Sequence, residues 1–103
     1  MAEVYKMAEQ IDYQDGTIVS KVVAKDQGGT VTLFAFAPGQ EVSTHTAPFQ
    51  ALVYLIEGEA EITLAERKLK ISAGETLLMP AGLAHALRAL TPFKMLLIML
   101  KSD

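Results

Sequence analysis

Cysteine and tryptophan are both missing from the 103-residue sequence, histidine occurs twice, and aromatic residues make up only 7%. The absence of cysteine excludes a disulfide framework, a thiolate zinc site, a cysteine nucleophile and an iron–sulfur cluster. Soft-metal chemistry would have to run on nitrogen and oxygen ligands alone. A block of basic residues is also absent: 9 Lys and Arg against 12 Asp and Glu give a net charge of −3. That balance lacks the electrostatic footprint of a nucleic-acid binder, so no nucleic-acid partner is expected. The longest apolar run, Met95–Leu100, is far too short to span a bilayer. Residues 1–17 carry Glu, Lys and Asp and hold no apolar stretch, so neither a secretory signal nor a membrane anchor is expected. The sequence therefore reads as a soluble cytoplasmic protein with no membrane partner. Its length fits a single domain over 1–103, with 1–17 as an N-terminal extension.

Half of the residues are hydrophobic, which is enough for one thin core. After residue 17 no helical period appears. Gly28-Gly29, Pro38-Gly39, Pro48, Gly58, Gly74, Pro80-Ala81-Gly82 and Pro92 cut the chain into short segments, the beat of an all-β sandwich or barrel. Eight strands are predicted, at Ile18–Ala24, Val31–Ala37, Ala51–Ile56, Ala60–Leu64, Leu69–Ser72, Thr76–Met79, Ala86–Leu90 and Phe93–Leu100, a number that suits a jelly roll. Helix is limited to one turn within residues 3–10. Glu59 and Glu61 alternate with Ala60 and Ile62, and Lys68 and Lys70 can lie opposite them, so these charges read as a solvated sheet face. The strands Val31–Ala37, Ala51–Ile56 and Met95–Leu100 are apolar on both faces, which calls for a second subunit as cover and predicts a homodimer. Met95 and Met99 read as core or interface filler.

His45 and His85 each follow a Gly/Pro turn, far apart in sequence, as a site assembled across a sheet requires. The spacing around them is specific. Gly39 precedes His45 by five intervening residues, and Ala47, Ala51 and Gly58 follow at intervals of one, three and six. Gly74, five residues, Pro80, one residue, Gly82, two residues and His85 make a second run.

In these positions the chain resembles the cupin family, whose first motif is Gly, five residues, His-x-His, three or four residues, Glu, six residues, Gly. The family's second motif is Gly, five residues, Pro-x-Gly, two residues, His, three residues, Asn. Gly39, His45 and Gly58 fall on the first over 39–58, and Gly74, Pro80, Gly82 and His85 on the second over 74–89. The 15 residues between Gly58 and Gly74 match the short bacterial-type separation. The resemblance implies an all-β, double-stranded β-helix (jelly-roll) barrel of the RmlC-like kind. It also implies a single divalent transition metal (Fe, Mn, Ni or Zn) on three His and one Glu.

The chain departs from that ligand set. Ala47 stands where the family has its second His, Ala51 where it has Glu, and Ala89 where it has Asn. Residues 45, 47 and 51 share parity, so a regular strand would project all three to one interior, with His85 arriving from a neighbour. Gln50 is a possible third metal ligand beside His45 and His85, but it is one residue short of the Glu position and faces away unless a bulge re-aims it. Glu41 has the right parity but lies ~13 Å along an extended strand. The candidate site is thus His45 and His85 as metal ligands or as structural, hydrogen-bonding imidazoles. The expected pocket is formed by Ala47, Phe49, Ala51, Val53, Met79 and parts of Met95–Leu100. Neither His has a neighbouring carboxylate, so no Ser-His-Asp set can be built. Two readings follow: a small-molecule-binding protein with a reduced two-His site, or a metal-dependent dioxygenase, isomerase or decarboxylase acting on a small organic substrate.

Overall fold

In the computed structural model, which describes residues 3–101, nine strands follow one 3-10 turn at Met7–Gln10. They are β1 (Ile18–Asp26), β2 (Gly29–Phe36), β3 (Glu41–His45), β4 (Gln50–Glu57), β5 (Glu59–Leu64), β6 (Arg67–Ser72), β7 (Thr76–Met79), β8 (His85–Ala89) and β9 (Phe93–Leu100). The turn within residues 3–10 and the eight predicted strands are present. β3 is an addition to them, in a segment whose one large apolar residue is Val42.

A five-stranded sheet, β1-β2-β9-β4-β7, and a four-stranded sheet, β3-β8-β5-β6, contain every strand. The antiparallel pairs β2·β9, β3·β8, β4·β7 and β5·β6 nest like one long hairpin wound into two layers, the double-stranded β-helix. Nesting brings the ends of the sequence motifs together, because β3 and β8, which carry the two His, are partners.

Period-two patterning fills the space between the sheets. Ala51, Val53 and Leu55 of β4, Phe93 and Met95 of β9, Phe36 of β2, and Ala60 and Ile62 of β5 form one buried cluster. Phe36 and Phe93 stack with centroids 4.3 Å apart. Each fully buried large side chain contributes about 1.5–3 kcal/mol. On the small sheet's outer face Lys70 pairs with Glu59 at 2.9 Å and Arg88 with Glu61 at 3.4 Å, so the charges there are a solvated face as expected.

The N-terminal residues are more than an extension. Ile11 is buried with Leu33 and Ala35, and Met7 and Tyr13 pack on the same cluster, so this segment lies over part of the outer face of the five-stranded sheet. No helix among the described residues is long and apolar enough to cross a membrane.

Candidate functional site

His45 closes β3 and His85 opens β8, and the two residues are direct cross-strand partners. The pairing Val42↔Leu87 is followed by His45↔His85, so β3 spends three residues where β8 spends two. That one-residue bulge is why Val42 and His45, of opposite parity, both face the interior beside Leu87 and His85. On the other side, residues 80–84 are fastened by two backbone hydrogen bonds: Gly82 N–H donates to the Ala47 carbonyl and Ala65 N–H to the Ala84 carbonyl, each at 2.8 Å. This anchoring delivers His85 into place.

The imidazole centroids are 4.2 Å apart and their planes meet at 67°. His45 Nδ1 lies 2.9 Å from the Ser43 carbonyl oxygen, and His85 Nδ1 lies 3.1 Å from that of Leu83. A carbonyl oxygen can only accept, so each Nδ1 carries the hydrogen and, in the neutral ring, each Nε2 holds the lone pair. The same device, a bond to the carbonyl two residues back, orients both rings. His85 is only 7% exposed, while His45 is open to solvent at the rim.

Below the rings is a cavity of about 160 Å³. Phe34 and Phe36 of β2 and Met95 and Leu97 of β9 line it from the large sheet. Val42, Leu87 and the two His line it from the small sheet, and Met79 of β7 completes the wall. Apart from the imidazoles every lining side chain is apolar. Larger depressions on the protein surface, such as one of about 430 Å³ bordered by Glu61, Lys68 and Arg88, lie outside the sandwich and hold neither His.

Of the residues expected from sequence, the structure unites His45, His85 and Met79, with Met95 and Leu97 from the last strand. It does not bring Ala47, Phe49, Ala51 or Val53 to this cavity. Regular parity fails after His45, because residues 46–49 are a connection and not strand. Ala47 sits in that connection, and Phe49 is half-buried outside the cavity. Ala51 and Val53 point inward but are absorbed by the core, with Ala51 opposite Met79. Gln50 is exposed and borders a separate surface depression with Pro48 and Pro80. Of the lining residues not anticipated, Phe34 and Phe36 share parity in β2, and Leu87 shares parity with His85 in β8. Val42 had no such signal, since the bulge reverses its facing.

The family's divalent ion does not fit these residues. Among those described, no three His, Cys, Asp or Glu side chains come together in a way that could hold a metal. A catalytic site ordinarily supplies about three protein ligands, and here two imidazoles stand alone.

The family model described as "Cupin domain" matches residues 32–99. A conserved protein of unknown function from Streptococcus pyogenes has the same fold with a TM-score of 0.94 and 32% identity, covering 100% of this chain and 90% of that one. A cupin 2 conserved barrel domain protein from Leptotrichia buccalis is 34% identical with a TM-score of 0.90, covering 94% of this chain and 47% of that one. Among curated proteins, a Streptomyces cyaneus protein described as polyketide synthase CurC is 27% identical over 73 residues, 70% of this chain. The matched segment spans about half of that relative, 47% of its length.

Proposed function

The chain belongs to the cupin family, and from that premise we propose that it binds a small organic molecule in the cavity under His45 and His85, without a tightly held metal. The observation that carries the proposal is the pair of imidazoles, each tied through Nδ1 to a backbone carbonyl, beside an otherwise apolar chamber. A concave apolar site with a few fixed polar groups is the usual form of a small-ligand pocket. Its volume of about 160 Å³ suits one small ring, since an engineered apolar cavity of about 150 Å³ takes up benzene. The likeness to a protein described as a polyketide synthase supports an organic ligand.

A multiply charged cation would be poorly served here. Two neutral imidazoles leave its charge uncompensated beside apolar walls, and such burial is costly. A second reading, an enzyme that uses a metal on the two imidazoles with water or substrate completing the shell, draws on their adjacency at 4.2 Å. Metal analysis of tag-free protein separates the two. The binding reading expects a metal content far below one equivalent and a thermal midpoint unchanged by chelator. Stoichiometric iron, manganese, nickel or zinc, lost in both His45→Ala and His85→Ala, would overturn it.

The proposal includes assembly as a homodimer. Its support is an apolar half of the large sheet's outer face that the described residues leave without cover, around Leu52, Leu78 and Ile98, with Leu78 47% exposed.

A further inference from the structure

We infer that the ligand is a neutral, single-ring hydroxyl donor, a phenol, whose O–H donates to Nε2 of His85. The inference rests on the binding reading above and adds the chemical class. It starts from the polarity of the cavity. Each Nδ1–H is committed to a backbone carbonyl, at 2.9 Å for His45 and 3.1 Å for His85, so in their neutral form the rings offer acceptors and no donors. No other polar side chain lines the chamber. A carboxylate or phosphate would find no hydrogen-bond donor there. A sugar would leave most of its hydroxyls unpaired, each a desolvation loss. What fits an acceptor-only, apolar site is an apolar body with one acidic hydrogen.

Size and walls narrow the class further. The chamber of about 160 Å³ takes one six-membered ring. Phe34 and Phe36 provide ring surfaces, and the Met79 and Met95 thioethers are adaptable partners for an aromatic edge. His85 is the acceptor because it is buried at 7% exposure, where a hydrogen bond is shielded from water. The side chains of the described residues leave no buried nitrogen or oxygen unpartnered, and no protein donor reaches His85 Nε2, so this atom must be open to an entering group. His45, exposed at the rim, stands beside the entry.

The test uses intact protein labelled at the methionine methyls, titrated with phenol, toluene and benzoate and followed by NMR at Met79 and Met95. Met79→Leu and Met95→Leu assign the two signals. In a purely apolar cavity phenol binds more weakly than toluene, because its hydroxyl leaves water without a replacement partner. Here phenol is expected to bind about tenfold more tightly than toluene, and benzoate not to bind. In His85→Leu the order reverses while toluene still shifts both methyls, which shows the chamber intact. Toluene binding as tightly as phenol in the native protein, benzoate displacing phenol, or a phenol preference that survives in His85→Leu would each overturn the phenol assignment and leave the binding reading standing. If none of the three moves either methyl, the binding reading falls as well.

Discussion

Gly58 closes the first sequence motif and Gly82 lies within the second, and their neighbourhoods differ. Both adopt positive φ, +83° and +78°. A Cβ on Gly58 would run into the Pro92 carbonyl oxygen and come within 2.8 Å of Phe93 Cα, whereas one on Gly82 meets nothing within 4 Å. Gly82→Ala therefore bears only the left-handed backbone cost, about 1–2 kcal/mol. Gly58→Ala adds the displacement of β9 and should lose about 3 kcal/mol or more. Urea denaturation of the two variants checks the order, and equal losses would show that β9 yields freely. The sequence placed both glycines at turns but could not distinguish them, because the clash is made by a residue more than thirty positions away. The His pair was legible for the opposite reason: each His follows a Gly/Pro turn at a fixed short spacing, a local signal. The alanines were misleading neighbours. Spacing placed Ala47 and Ala51 beside His45, but the break in strand after His45 sends one into a connection and the other into the core.

Elements outside the site are held by a polar latch between the N-terminal segment and the centre of the large sheet. Between β4 and β9 a register shift separates Leu55 from Glu57, and Ile56 packs outward with the N-terminal cluster. Glu57 accepts a 2.6 Å hydrogen bond from the Tyr13 hydroxyl. Lys94, buried in β9, donates to the Ala8 carbonyl at 2.6 Å, and its Nζ is 5.0 Å from the centroid of the Tyr13 ring. Burial foremost, then the hydrogen bond and charge of Glu57, push the Tyr13 hydroxyl well above the ordinary tyrosine range. The folded protein thus keeps a proton that the unfolded chain releases near pH 10. This contribution to stability is complete below that pH and is lost as pH rises above it. Between about pH 9 and pH 11 the native protein's thermal midpoint should fall more than that of Tyr13→Phe. Parallel curves would show that the hydroxyl is not held protonated by the fold. None of this latch was visible in sequence, where residues 1–17 read as an extension: Met7, Ile11 and Tyr13 are isolated apolar residues in a polar stretch. β3 escaped notice similarly, because Glu41–His45 is mostly polar and bulged. The remaining strands were legible because β-branched and apolar runs alternate with Gly/Pro turns.

For the whole molecule, nesting of strand pairs accounts for both the site and the surface left over. β3 and β8 must be partners once β2·β9 and β4·β7 have formed, so the two His meet at one end of the chamber. The five-stranded sheet is wider than its partner, and among the described residues the N-terminal segment packs on its outer face around Val19, Val23, Leu33, Ala35, Ile56 and Leu96. Beyond that cover, the rung Val31–Ile98–Leu52–Leu78 crosses four strands without a charged residue. Tyr54 and Leu100 flank it at 39% and 40% exposure. A strip of this kind is self-complementary under a two-fold axis, since each rung can pack on its own copy. The expected sedimentation mass at micromolar concentration is twice the 11.2 kDa of one chain. Placing a carboxylate in the strip, as in Leu52→Asp or Leu78→Asp, should return the single-chain mass while the His cavity still binds its probe, because Leu52 and Leu78 lie outside the chamber lining. A native protein that sediments as one chain would remove the dimer from the proposal.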